Sequence, residues 1–581
     1  MIAYLRVIAV DFDGTLTSSG RRPHDDVLSA LARVRQEGFL VIMVTGRILT
    51  ELRADFPDVE DWVDLIVAEN GCVLHSRTTH RVLAPPVDPL LTAALSERGI
   101  SIRSGEVLLA GRAADRAAIL EQVHHHGLDC QLVFNRSELM VLPAGVTKGT
   151  GLFEALGDAG VSRHSAVGVG DAENDHALLD VCEVGVAVAN AVTSIKTFAD
   201  VLLTQPNGDG IVELLDRVSR PGAGPLHSSR WQVQLGTTAR GLAVRVPSSQ
   251  LNVLICGPTS SGKSYVAGLF AERLIAQGYS VLVVDPEGDH QGLARLRGVV
   301  TIDGAGGLPA PDRVAAIFTQ RFASVVLDLS QVPSAQRHAY LAELTRAVDR
   351  SRAECGLPHW VISDEAHESA TGMRPDSVLI GGSTSTGRWG SCLVTYRPEL
   401  IDDAALAQVD AVIGLGADVP PDPSVVGLLA KVAGDPSDLV WSSLNDLGPG
   451  SAYLALRDPL GTSHAFNVGS RLTEHQRHRH KYTEAELPED RWFYFRDGSD
   501  RVVAVARNIK ELQRVLHECP DDVVAHHAAG HDLSRWLRRV FADAAVGATL
   551  EGIERGLVDG ATSSVDAREA MLVAIRSAYR I

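Results

Sequence analysis

Lysine is almost missing from this chain: Lys148, Lys196, Lys263, Lys431, Lys481 and Lys510 are the whole set. Arginine is the default cation, so a lysine at a motif position stands out. Aromatic residues make up only 5% of the 581 residues. Cysteine is sparse and scattered (Cys72, Cys130, Cys182, Cys256, Cys355, Cys392, Cys519), with no C-x-x-C. That pattern argues against a thiolate zinc site and against a disulfide framework, and it fits a reducing cytoplasm. No apolar run approaches the roughly 20 residues of a membrane span, so no membrane partner is expected. Met1–Arg6 leads straight into a motif-bearing strand rather than a signal peptide. The formal net charge of −18 does not suggest a protein coated in nucleic-acid-binding surface, although a local basic channel remains compatible with it.

What is present is a soluble composition, with 45% hydrophobic and 22% charged residues, in a chain long enough for several domains. Its strongest motif is Gly257-Pro258-Thr259-Ser260-Ser261-Gly262-Lys263-Ser264, which matches the phosphate-cradling G-x-x-x-x-G-K-[ST]. An apolar strand is expected at Leu251–Cys256. A helix is expected over Tyr265–Gln277, with Val266, Leu269, Phe270, Leu274 and Ile275 on one face. In that context Gly257, Thr259, Ser260, Ser261, Gly262 and Tyr265 line an ATP cradle. Lys263 reaches the β/γ-phosphates and Ser264 holds Mg²⁺.

Upstream, the strand Val7–Val10 delivers Asp11-Phe12-Asp13-Gly14-Thr15 at its C-terminal end, where α/β sheets place their sites. Asp11 would attack phosphorus and Asp13 would protonate the leaving oxygen. Leu40–Val44 ends in Thr45-Gly46-Arg47, and Leu65–Ala68 in Glu69-Asn70-Gly71. Then come Val146-Thr147-Lys148-Gly149 and the strand Ala166–Val169, which ends in Gly170-Asp171-Ala172-Glu173-Asn174-Asp175. Each motif alone also reads as a turn, a surface charge or a helix cap; all of them in order at strand ends do not.

The series resembles the haloacid dehalogenase superfamily, in its capped type IIB branch of phosphatases. The resemblance implies Asp11 as nucleophile and Asp13 as acid/base, with Thr45, Gly46 and Asn174 at the phosphoryl group and Lys148 neutralising charge. It implies a Mg²⁺ site built from Asp11, Asp171, the supporting Asp175 and the backbone carbonyl of Asp13, all hard oxygen donors. An insert at about residues 76–144 reads as α-β-β twice, a cap that would select a small phosphorylated substrate. Within it, His124-His125-His126 point about 100° apart on a helix and do not converge on an ion.

A Pro/Gly-rich linker, Pro221–Pro225, lies inside the expected boundary 220–229. A hairpin, Trp231–Leu235 with Leu242–Val246, leads into the P-loop strand. Beyond it come Asp285-Pro286-Glu287-Gly288 after one strand and Asp364-Glu365-Ala366-His367 after another. Thr386-Gly387-Arg388 and a strand closing in Tyr396-Arg397-Pro398 follow. This order resembles the HerA–FtsK superfamily of ring ATPases, nearer the HerA branch. The resemblance implies Asp364 in the Mg²⁺ shell, Glu365 orienting the attacking water, and Arg388 (or Arg397) reaching a neighbouring subunit's γ-phosphate. It implies a homo-oligomer, a hexamer in the ring form, with DNA or RNA as partner. Tyr396 stands where such ATPases often carry a polar sensor, and the HerA-type N-terminal barrel is absent or cut down to the hairpin, with the phosphatase in its place.

The fold class expected is multidomain α/β. A Rossmann-like phosphatase core with its cap spans 1–219, a RecA-like P-loop ATPase 230–470, and an α-rich accessory domain 471–581. In that last part Arg477–Lys481 is a basic run that reads first as a solvated face, and His526, His527, His531 and Asp532 read first as core or helix-end residues. Three functions compete: a phosphomonoesterase fused to a ring-type ATPase for nucleic-acid processing or defence; a sugar- or nucleotide-phosphate phosphatase with a nucleotide-sensing module; and an assembly protein with inactive modules. Intact Asp11, Asp13, Lys148, Lys263 and Glu365 argue against the third.

Overall fold

A computed structural model of the chain describes residues 5–135, 138–220, 226–367, 389–417, 419–473, 487, 491–541 and 543–579. Arg388 and the run Arg477–Lys481 lie outside these residues. The chain divides into two compact units. One comprises 1–284, 293–327 and 332–473; the other comprises 285–292, 328–331 and 474–581.

The first unit is built on two large sheets. The N-terminal sheet has the strand order 201–202, 184–187, 166–170, 7–10, 40–44, 65–68, 73–75, 80–82. Its central strands are parallel and read as near-continuous Val/Ile/Leu/Ala because both faces are buried. The last two strands run antiparallel and form an edge. His80–Val82, inside the range expected for the insert, therefore pairs in this sheet. The insert itself folds as helix Pro89–Glu97, strands Arg103–Ser104 and Leu109–Arg112, helix Arg116–His125, and strands Cys130–Asn135 and Glu138–Pro143. The α-β-β unit occurs twice, and its strands close a separate four-stranded sheet. His124, His125 and His126 sit exposed at the end of its second helix.

The insert's sheet is two-sided. Leu109, Leu139 and Val141 pack under its own helices. Leu108, Ala110, Met140 and Leu142 face the other way and join the large core. This is the period-2 alternation of a strand with both faces covered.

The second large sheet holds the P-loop strand. In the order 243–247, 232–237, 464–468, 451–456, 411–415, 252–256, 391–395, 360–363, 281–285, 324–328, 299–303, the inner strands are parallel. The expected hairpin is antiparallel and caps one end. A single apolar core runs through both large sheets, from Leu5 to Phe466.

Polar groups are buried where the two sheets' elements meet. Glu183 accepts hydrogen bonds from Tyr279 Oη (2.8 Å) and from the Ser249 hydroxyl, and pairs with His164 Nδ1 at 2.7 Å. The His164 ring stacks on Tyr279 at 3.7 Å, and its Nε2 lies 3.0 Å from the Gln277 carbonyl. His359 completes the cluster by accepting from the Ser280 N–H (2.8 Å), and burial, then His164 and Arg352, hold its pKa well below the usual imidazole value.

A half-buried carboxylate at another strand start gives a pH prediction. Asp410 accepts the Asn252 N–H at 3.0 Å, and burial pushes its pKa up to about 6 against the pull of that bond and of Arg457. Because folding raises this pKa, its contribution to stability is complete below the unfolded value near 4. It is lost as pH rises through about 6. Asp410→Asn keeps an acceptor for Asn252 and should flatten the melting temperature between roughly pH 4 and 7. A variant whose curve still falls as steeply as that of the natural chain would rule Asp410 out as the source.

The second unit contains the hairpin Phe493–Arg496/Val502–Ala506 and the helices Ile509–Glu518, Asp521–Ala529, Asp532–Phe541, Ala544–Val558 and Ser564–Tyr579, around their own apolar core. His527 is structural. Its Nε2 accepts the Arg496 N–H (2.8 Å), so its Nδ1 carries the proton that meets Asp532 at 2.7 Å.

Candidate functional sites

In the N-terminal sheet the register sets Val10 beside Val169 and Met43. The residues that follow these strands therefore converge at one edge: Asp11, Asp171 and Thr45. Asp11, Asp171 and Asp175 are buried, and each offers an oxygen within 4.8 Å of the others. Lys148 is wholly buried at the first turn of the helix Lys148–Asp158. Its ammonium donates to Asp11 Oδ1 (2.5 Å) and Asp175 Oδ1 (2.6 Å). Thr147 caps that helix through a capping box, which fixes where the lysine starts. Asp175 Oδ2 takes the backbone N–H groups of Asp171 and Ala172 (2.8 and 2.9 Å), and Thr15 Oγ1 donates to Asp171 Oδ1 (2.9 Å).

The charges do not balance. Burial, then Asp175, pushes the Asp11 pKa well above the carboxylate range despite Lys148. Burial would lower Lys148, but Asp11 and Asp175 more than offset it and hold its pKa above the ordinary value. Three carboxylates against one ammonium leave a deficit that a divalent cation would fill, and the donors are the hard oxygens that Mg²⁺ prefers. The residues present fit that ion.

Asp13 is placed differently. Its carboxylate lies outside this cluster in a two-pronged pair with Arg47, Nε to Oδ2 and Nη2 to Oδ1, both 2.7 Å. Arg47 also reaches Asp55 and lies over the Phe12 ring. Thr45 is buried, and its Oγ1 accepts the Arg47 N–H (3.1 Å), leaving the hydroxyl proton free to donate. Gly46 faces the insert: a Cβ there would stand 3.1 Å from the Met140 sulfur and 3.5 Å from the Asn174 amide nitrogen. Asn174 donates to Asn70 Oδ1 at 3.1 Å.

Arg47, Asn70 and Thr15 are site neighbours that motif reading quotes without a role. So is Glu69, which holds the insert in place. Its buried carboxylate accepts the backbone N–H groups of Glu106, Val107 and Leu108 at 2.9, 2.9 and 3.2 Å. Glu69 and Asn70 have φ of 52° and 56°, unusual for non-glycine residues. Gly71 follows at φ 107°, where a Cβ would collide with the Thr147 carbonyl 2.0 Å away. Glu69→Ala strands three donors under the insert. It should lower kcat/KM for a phosphate ester roughly ten-fold, about 1.4 kcal/mol. Steady-state kinetics check it, and an unchanged kcat/KM would remove Glu69 from this positioning role.

In the second sheet the P-loop strand Asn252–Cys256 and the strand Trp360–Ser363 are separated by one strand, Ser391–Thr395. All three are parallel. The strand ends Cys256 and Ser363 therefore lie at the same edge, two strand spacings or roughly 10 Å apart, with the P-loop following one and Asp364 the other. Gly262 takes a left-handed φ of 101° as the N-cap of the helix Lys263–Ala276. Thr259 and Ser260 are exposed at the loop tip, with Ser261 and Ser264 half-buried behind it. Lys263 Nζ donates to the Pro258 carbonyl (3.0 Å).

Asp364 and Glu365 are buried, and Glu365 has φ 44°. Such backbone strain clusters at functional sites. Tyr265 uses its hydroxyl on the Gly469 carbonyl (3.3 Å) and the Arg471 N–H (3.0 Å), tying the helix to the returning chain. Arg397 is exposed and pairs with Glu399 (3.1 Å).

An aspartate-led parallel sheet with a buried lysine, joined to a P-loop sheet with an Asp-Glu strand end, defines a double phosphoryl-transfer hydrolase. Residues 8–88 and 107–215 match the family described as haloacid dehalogenase-like hydrolase, and residues 242–371 match the description "Helicase HerA, central domain". The chain is 31% identical to the phosphoglycolate phosphatase of Natronomonas pharaonis over 230 residues, 36% of this chain and 96% of that protein. It is 29% identical to the phosphoglycolate phosphatases of Nitrosopumilus maritimus (226 residues; 37% of this chain, 96% of that protein) and Methanothermobacter thermautotrophicus (219 residues; 37% and 98%). Through its N-terminal third the chain belongs to the haloacid dehalogenase-like hydrolases. It joins a phosphatase domain of that family to a HerA-type ATPase domain. No helix among the described residues is long and apolar enough to cross a membrane.

Proposed function

We propose that the chain is a bifunctional enzyme: a Mg²⁺-dependent phosphomonoesterase working through an aspartyl-phosphate, and an ATP hydrolase of the ring-translocase type. The observation that carries the first activity is the Lys148 ammonium held between Asp11 and Asp175 beside Asp171. Asp11 forms the new O–P bond while the ester P–O bond breaks, and Asp13 gives the leaving oxygen its proton. For that, Asp13 has to come away from Arg47. Lys148, the Thr45 hydroxyl, the Gly46 N–H and the Asn174 amide hold the phosphoryl oxygens. Asp11, Asp171 and the Asp13 carbonyl, supported by Asp175, would hold a divalent ion, which would supply charge neutralisation at those oxygens.

Met140 of the insert, whose sulfur stands 3.1 Å from where a Gly46 Cβ would be, puts an apolar side chain beside the phosphoryl-binding residues and favours a small ester over a polyhydroxylated sugar. The relatives' name makes 2-phosphoglycolate the first substrate to try. In the ATPase, the loop Gly257–Ser264 binds ATP, Ser264 and Asp364 hold its Mg²⁺, and Glu365 orients the water. Arg388 from a neighbouring protomer meets the γ-phosphate. A hexamer acting on DNA or RNA follows from this reading.

A panel of small phosphate esters beside 3′- and 5′-phosphorylated oligonucleotides tests the phosphatase. Solution mass and DNA stimulation of ATP hydrolysis test the motor: a monomer whose ATPase ignores DNA would sink it. The buried cluster of His164, Glu183, Ser249 and Tyr279 favours one alternative, a small-molecule phosphatase whose second module senses nucleotide, because it joins the two sheets through groups that are costly to separate.

A further inference from the structure

The strand Ser391–Thr395 lies between the P-loop strand and the strand that ends in Asp364-Glu365. The residue immediately after it, Tyr396, is 40% exposed. On one side, Lys263 Nζ stands 5.6 Å from the Tyr396 ring centroid, within cation–π range. On the other, the His367 ring meets Tyr396 edge-on with centroids 4.7 Å apart. His367 Nδ1 lies 3.1 Å from Thr395 Oγ1 and 3.5 Å from Glu365 Oε2. One aromatic ring thus touches the phosphate-binding lysine and the histidine beside the water-orienting glutamate. Among the described residues its hydroxyl makes no hydrogen bond.

We propose that Tyr396 is a positioning residue that reads the nucleotide state of the P-loop through its ring. In this structure the ring and the Pro258 carbonyl are among the groups that hold the Lys263 ammonium. An incoming triphosphate takes the ammonium away. The ring, no longer held by the lysine, changes its seat against His367, and Glu365 is set for hydrolysis only then. A ligand shifts such an equilibrium only by its differential affinity for the two states, and Lys263 supplies it, because the ammonium cannot serve the ring and the phosphates at once. The parked state also taxes the apparent affinity for ATP.

The inference rests on the ATPase reading, so the wild-type chain is the first arm of the test. If it neither binds nor hydrolyses MgATP, the ATPase reading falls. If it does, the Tyr396 variants decide the inference separately. Full-length Tyr396→Leu loses the parking and the support of His367. The MgATP dissociation constant should fall about three-fold, the scale of an exposed cation–π contact, while kcat for ATP falls roughly ten-fold. Tyr396→Phe keeps the ring and should match the wild type in both. Tyr396→Trp, with the better π-face, should weaken MgATP binding about two-fold even if the leucine variant does not fold. Phosphatase activity on the same preparations reports folding.

A merely structural tyrosine would not give tighter binding with slower turnover. Weaker binding by Tyr396→Leu, a phenylalanine variant as impaired as the leucine one, or no change in the tryptophan variant each overturns the proposal.

Discussion

Asp11→Asn should remove phosphatase activity by on the order of 10³-fold or more, the scale on which loss of a covalent nucleophile is felt, and leave ATP hydrolysis within about two-fold. The amide keeps the volume and one acceptor of the carboxylate but cannot attack phosphorus. The substitution should not unfold the chain. In the folded state Asp11 is buried against the Lys148 ammonium, and asparagine fills the same space there. Lys148 retains Asp175 at 2.6 Å. The fold should persist while activity disappears, and a calorimetric scan beside a phosphate-release assay reads both. Residual activity within ten-fold of wild type would mean that Asp11 is not the nucleophile. A parallel loss of ATPase would mean that the two centres are coupled.

Much of this site is legible in the sequence because its members follow apolar strands: Asp11 after Val7–Val10, Thr45 after Leu40–Val44, Asp171 after Ala166–Gly170. Period and motif carry that information locally. The pair of Arg47 with Asp13 is not legible, since 34 residues separate its members and nothing local marks an arginine after Thr-Gly as a partner for the acid. The clasp of Glu69 on residues 106–108 is hidden likewise. It depends on how the insert docks, and a glutamate at positive φ contradicts local propensity.

Helices escaped for a different reason. In Ser334–Cys355 the buried Leu341, Leu344, Ala347 and Val348 do share a face, but a run rich in Arg, Ala and Glu blurs the stripe. Ala544–Val558 carries Gly547, Gly552 and Gly556, residues that argue against a helix until tertiary packing overrides them. The cluster around Glu183 had no signal at all, because a buried Glu, His and Tyr meet only once two sheets have come together.

That cluster makes the second large effect informative. Glu365→Gln should lower ATP turnover on the order of 10²-fold or more, the range of a general base or water-orienting group, while MgATP binding persists because Lys263, Ser264 and Asp364 are untouched. Glutamine preserves the shape of a side chain held at φ 44° in a buried turn, so the fold should survive. Phosphatase activity in the ATP-bound, non-hydrolysing variant then separates the two readings. The P-loop helix runs from Lys263 to Ala276, and the carbonyl of the next residue, Gln277, meets Arg163 and His164 at 2.8 and 3.0 Å. His164 in turn lies just before the strand Ala166–Gly170 that ends at Asp171. If that rigid path transmits the nucleotide state, trapping ATP in Glu365→Gln shifts phosphatase kcat or KM relative to the nucleotide-free variant, as a sensing module requires. If the path only cements two independent enzymes, phosphatase kinetics are the same with and without ATP, and the motor reading stands on its own.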